Sequence, residues 1–180
     1  MFGSKRLLTT IDAQTLKGFK TLQDVDFEHS GHIDISNGKI KEVFFKKSQW
    51  IPNRDDRYEL SFHTHPPNYE RLYPDHPSFV DMKYIVRNVA SGDLIALHLI
   101  FTPRLIYSIG VNAILKQRYL TNPNAIDDEI DVIFHESDAA FNGNRSAAGF
   151  RSLWIARLRT LGFVVHIHTS YTHAMRVYAT

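Results

Sequence analysis

His63-Thr64-His65-Pro66 and, further on, Ser78-Phe79-Val80-Asp81 supply the residue types of a catalytic zinc site: two imidazoles at i, i+2 and a carboxylate at a helix start. Three protein ligands of this kind leave one tetrahedral position open. On a strand, alternate side chains share a face, so His63 and His65 project to one side and Thr64 to the other. Asp81 falls in the first turn of a helix predicted from Ser78, where the helix dipole favours negative charge. A plainer reading of the same residues is that Asp81 only caps its helix through the S-x-x-D pattern, with the histidines at the surface. The zinc proposal also needs a general base. Glu28, in Glu28-His29-Ser30-Gly31 at the start of a predicted strand, can be brought beside the site by an adjacent strand. Glu59 competes, because residues 59, 61, 63 and 65 share one strand face. Proximity alone does not choose between them.

Composition narrows the ligand set. The chain has 180 residues, 43% of them hydrophobic, which suits one globular domain spanning 1–180. It contains no Cys, so thiolate ligands, disulfides and a cysteine nucleophile are excluded, and any metal must be held by His and carboxylates. Ten His residues supply that chemistry. Lys plus Arg is 21 against 19 for Asp plus Glu, and a net charge of +2 gives no electrostatic case for nucleic acid as the main partner. The N-terminal residues show no long apolar leader, and no run long enough to span a membrane follows. An intracellular, cytoplasmic protein with no membrane partner is the expectation.

The elements that must position these residues can be read from periodicity. Leu16, Phe19, Leu22 and Val25 predict an amphipathic helix within 12–26. Strands near 28–36 and 39–47 flank Asn37-Gly38, a hairpin signal. Residues 51–57 read as a connection, and Tyr58 to Phe62 as the strand that leads into the histidines. Pro66 to Pro77 reads as a Pro-rich loop. A helix over 78–90 follows, with Phe79, Met82, Ile85, Val86 and Val89 on one face. Asp93 to Phe101 is a nearly continuous apolar run, expected of a strand buried on both faces. A strand over 105–109, a short strand-like stretch at 130–134 within a polar region 121–146, a helix over 147–161 and a strand over 163–167 complete the chain. That order predicts an α/β fold with one mixed sheet flanked by helices.

Glu28-x-x-Gly31 after an N-terminal helix, with His63-Thr64-His65-Pro66 before Ser78-x-x-Asp81, resembles the JAMM, or MPN+, zinc metalloprotease motif across roughly residues 7–110. The resemblance implies a cytidine-deaminase-like sheet flanked by helices. It also implies zinc on His63, His65 and Asp81, Glu28 rather than Glu59 as the base, and Ser78 as a stabiliser of the tetrahedral oxyanion. The implied activity is hydrolysis of an isopeptide or peptide bond of ubiquitin or a ubiquitin-like protein, as in a deubiquitinase. Fifteen residues separate His65 from Asp81. That exceeds the family's usual spacing, and an insertion in the Pro-rich loop explains it. The loop puts Asp75 and His76 forward as rival ligands, and Tyr69, Arg71 and Tyr73 as substrate contacts. The other reading is a non-catalytic MPN-like interaction module, whose usual mark is a lost ligand; all three ligands are present.

A second pair, His166 and His168 with His173 beyond, also sets two imidazoles on one strand face, but no carboxylate follows at useful spacing. A structural role is expected there. A barrel-type metal hydrolase is excluded by length, since such barrels need about 250 residues.

Overall fold

The computed structural model describes residues 6–23, 28–45, 58–67, 75–92 and 94–178. Within them the chain runs β1 (Leu7–Ile11), α1 (Ala13–Gln23), β2 (His29–Ile33), β3 (Ile40–Phe45), β4 (Tyr58–Thr64) and α2 (Phe79–Ser91). It continues through β5 (Leu94–Phe101), β6 (Ile106–Val111), α3 (Ala113–Thr121), α4 (Pro123–Ala140), α5 (Ala148–Leu161), β7 (Phe163–His168) and β8 (Met175–Tyr178). Six strands form a mixed sheet in the order β3-β2-β4-β5-β6-β7, in which β4 and β5 are parallel and the other neighbours antiparallel. A parallel pair requires a crossover, and α2 lies in it. Strands β1 and β8 form a separate antiparallel pair. The predicted mixed α/β domain, with one principal sheet flanked by helices, is therefore the observed one. No helix among the described residues is long and apolar enough to cross a membrane.

The sheet carries a core on each face. Helices α2 to α5 pack with Ile100, Tyr107, Ile109 and Val165. On the other face Leu60, Phe62, Leu97, Leu99, Phe101 and Ile106 meet Leu16 and Phe19 of α1 and Met175 and Val177 of β8. Phe19 stacks on Phe101 at 3.9 Å and meets the Phe62 ring edge-on at 4.7 Å. The strand expected to be buried on both faces is β5, which has cores above and below it.

Several expectations are corrected. The strand-like stretch at 130–134 is the middle of the 18-residue helix α4. Asn122 caps it, accepting from the Ala125 N–H, Pro123 fills its first turn, and Ile126, Ile130 and Phe134 recur at helical spacing on its buried face. Helix α3, whose Asn112 cap accepts from the Leu115 N–H at 2.8 Å, and strands β1 and β8 had no counterpart in the reading of the chain. The Asn37-Gly38 reversal is wider than a two-residue hairpin: the Asp34 N–H donates to the Lys39 carbonyl and the Gly38 N–H to that of Asp34. Residues 24–26, 46–47 and 51–57, and Tyr69, Arg71 and Tyr73, lie outside the described residues.

Candidate metal centre

The face of the sheet under α2 carries a polar band. In the register of the sheet Ser30 pairs with His63, His32 with Ser61, and Ser61 with His98, so these side chains share one face. His63 stands near the end of β4, and His65 follows just beyond it, its N–H bonded to the Phe101 carbonyl at 2.8 Å. Thr64 points the other way, fully buried, and its hydroxyl accepts from the His29 N–H at 3.0 Å. That bond ties β4 to the start of β2, where Glu28 precedes the strand.

Asp81 arrives from the opposite side on the first turn of α2. Ser78 is the N-cap; its hydroxyl accepts from the Asp81 N–H at 3.1 Å, and Asp81 Oδ2 accepts from the Ser78 N–H at 2.7 Å. The same Oδ2 accepts from the Ser78 hydroxyl at 2.8 Å. The segment before the helix is pinned by Trp154 of α5, whose Nε1 donates to the Pro77 carbonyl at 3.0 Å. Asp81 thus caps its helix and also faces the histidines, with Oδ1 at 3.4 Å from His63 Nε2 and Oδ2 at 3.5 Å from His65 Nε2. The two Nε2 atoms are 3.0 Å apart. One ligand atom from each of the three residues lies within 4.8 Å of the others, and together they can hold a metal ion. Two imidazoles and one carboxylate form a donor set that suits a divalent metal with an open position.

The electrostatics favour a charged Asp81. Burial pushes its carboxyl upward, but the charges of His63 and His65 and bonds from His65 and Ser78 outweigh this and hold it well below the usual carboxylate range. Burial also disfavours a proton on His63, and with the His65 charge it prevails over Asp81, so His63 is lowered. At His65 the same penalty loses to the Asp81 hydrogen bond and charge, and the ring is raised. Of the two histidines, His65 is therefore the one whose protonated form the cluster favours, beside an ionised Asp81. Glu28, half-buried, acts on both histidines through its charge, which places its carboxylate in the field of the site. The Glu59 side chain lies outside the described residues.

Behind His63 stands a residue the sequence did not single out. His98 on β5 is buried, its Nε2 is 2.6 Å from His63 Nδ1, and its Nδ1 is 2.7 Å from Ser61 Oγ. Burial, reinforced by the His63 charge, pushes its pKa well below the ordinary histidine value, which keeps it neutral. A metal on His63 Nε2 would leave the proton on Nδ1, which would donate to His98 Nε2, and His98 would in turn donate from Nδ1 to Ser61. The available signal was one polar residue in an otherwise apolar eight-residue strand, which was read only as a buried strand.

The rival ligands stand apart. His76 is buried against Phe150 with its Nδ1 bonded to the Pro77 carbonyl at 2.9 Å, and Asp75 accepts from the Thr102 hydroxyl. Neither joins the three-residue cluster, which is the one such group among the described residues. His166, His168 and His173 form none either, and His173 bonds to Ser170. Comparison with known proteins found no matching family model, no matching curated protein and no matching solved structure.

Proposed function

We propose that this chain is a zinc-dependent metallopeptidase of the JAMM type, cleaving an isopeptide or peptide bond of ubiquitin or a ubiquitin-like protein. The observation that carries the reading is the convergence of His63 on β4 and His65 just beyond it with Asp81 on α2, inside the field of Glu28. Zinc held there would supply a Lewis acid that polarises a carbonyl and acidifies water at its open position. Glu28 is the group that takes the proton from the attacking water and returns it to the leaving amine. His63, His65 and Asp81 bind the ion, and His98 orients His63. Ser78 holds the Asp81 carboxylate through its hydroxyl; donating to a substrate oxyanion requires that it exchange this bond.

Zinc content and cleavage test the proposal together. The purified protein is expected to carry one zinc per chain and to cleave ubiquitin-linked substrates in a chelator-sensitive way. Glu28→Gln should keep the zinc and lose activity by at least about a hundredfold, within the range for a general acid–base residue. Absence of zinc, or unchanged cleavage by the variant, overturns the mechanism. A zinc-loaded protein inert on every such substrate points instead to the interaction module.

A further inference from the structure

The second histidine pair lies in a cavity that the metal centre does not use. Strand β7 is the edge of the six-stranded sheet, and Ser108 of β6 pairs with its His166. Ile106, two residues before Ser108, belongs to the α1-side core, so Ser108, His166 and His168 face away from His63. There a cavity of about 460 Å³ is lined by these three residues with Arg159, Arg176 and Tyr178.

Every polar side chain in that lining can donate a hydrogen bond, two of them are permanent cations, and no carboxylate is among them. Arg159 donates from Nε and Nη2 to the Val165 carbonyl, at 3.2 and 2.6 Å. Those bonds fix the guanidinium and neutralise none of its charge. Arg176 is exposed and has neither a hydrogen bond nor an ion pair among the described residues. Ser108 is only 2% exposed, and its hydroxyl likewise has no partner among them. A concave surface built of donors and cations suits an anion with several acceptor oxygens.

We propose that this cavity binds the phosphate group of a small phosphate monoester, on the face of the sheet opposite the metal centre. A phosphate monoester carries nearly two charges and three acceptor oxygens, enough to engage both arginines, the imidazoles and the buried serine together. The volume falls in the range of small-molecule sites. With 21 basic against 19 acidic residues, the molecule offers no extended field for a nucleic-acid backbone.

Calorimetric titration of the full chain with phenyl phosphate, at constant ionic strength in chloride, tests this. One molecule should bind per chain, with the same affinity in zinc-loaded and chelator-treated protein, and benzoate should bind about tenfold more weakly. Arg176→Gln is expected to weaken binding about tenfold, and Ser108→Ala severalfold, with thermal stability little changed for the exposed arginine. Absence of binding, or loss of binding on chelation, overturns the proposal, the latter because the ligand then sits on the metal. Affinity unchanged in both variants overturns it too, as does a single-stranded oligonucleotide that binds more tightly than phenyl phosphate at the same salt.

Discussion

His98 is satisfied on both ring nitrogens, by His63 and Ser61, and zinc on His63 Nε2 would fix the direction of the first of these bonds, from His63 Nδ1 to His98. Replacing His98 with Phe leaves a buried His63 N–H without an acceptor. Zinc affinity should then fall about 10–100-fold, the usual effect of losing a partner that orients a ligating histidine. Competition with a chromophoric chelator measures it, and an affinity within twofold of the parent would show that His63 is oriented by other means. His76 makes a different prediction. Burial, only partly offset by its bond to Pro77, pushes its pKa down to about 4. Because the unfolded ring titrates near 6.5, the unfolded chain binds more protons between the two values. Stability should therefore fall as pH drops from about 6.5 to about 4, by on the order of 3 kcal/mol from this ring alone. His63 and His98 push in the same direction, so His76→Phe should flatten the urea midpoint's pH dependence without abolishing it. The Pro77 carbonyl keeps a partner in that variant, since Trp154 also donates to it. The candidate ligands His63 and His65 were legible in the sequence because i, i+2 spacing on a strand leaves few geometries. His98 was not, because its role comes from strand pairing rather than from its neighbours in the chain.

The two elements that carry the ligands are locally written. Helix α2 has its Ser78 cap, an apolar face of Met82, Ile85, Val86 and Val89, and Gly92 in the left-handed region at its end, so its limits follow from the sequence. Helix α4 has equally local signals, but its Asn122 cap and first-turn Pro123 stand in a stretch rich in Asn, Asp, Gly and Ser, a composition that also marks loops. Among the described residues strands β1 and β8 hold only each other as sheet partners, across nearly the whole chain, and no short-range pattern announces such a pairing. The hairpin that carries Glu28 to the site depends on Gly38, which has φ +71° and would place a Cβ 2.2 Å from the Thr10 carbonyl oxygen of β1. Gly92 has φ +84° with open space around it. Gly92→Ala should therefore cost about 1 kcal/mol, and Gly38→Ala clearly more, because strain and a backbone collision add. Urea unfolding compares the two. Since the candidate ligands sit on β4, just beyond it and on α2, neither substitution should alter zinc affinity much; a large loss in Gly38→Ala would mean that the hairpin shapes the cluster itself.

For the whole molecule, the proposed zinc binding would be linked to folding. Zinc at about a hundredfold excess over its dissociation constant would add about 2.7 kcal/mol, worth roughly 5–10 °C in a domain of this size. A chelator should lower the melting temperature by that amount, and no shift would show that zinc does not bind the folded state selectively. The gain is expected to depend on pH, because zinc would displace a proton from His65, which the hydrogen bond and charge of Asp81 favour there. With His65 raised above its ordinary value, zinc affinity should already weaken as pH falls through the range just above 6.5, and continue to fall below it. Titrating zinc against pH checks that sign. The parallel pairing of β4 and β5 also has a kinetic consequence. His63, His65 and Asp81 all lie within one strand–helix–strand segment, 58–101, whereas Glu28 reaches the site only through the antiparallel pairing of β2 with β4. The three-residue cluster is thus closed by shorter loops than the approach of Glu28 needs, and shorter loops close at lower entropic cost. On the proposed function, the folding chain would be able to capture its ion before Glu28 arrives to use it, so loading would precede competence.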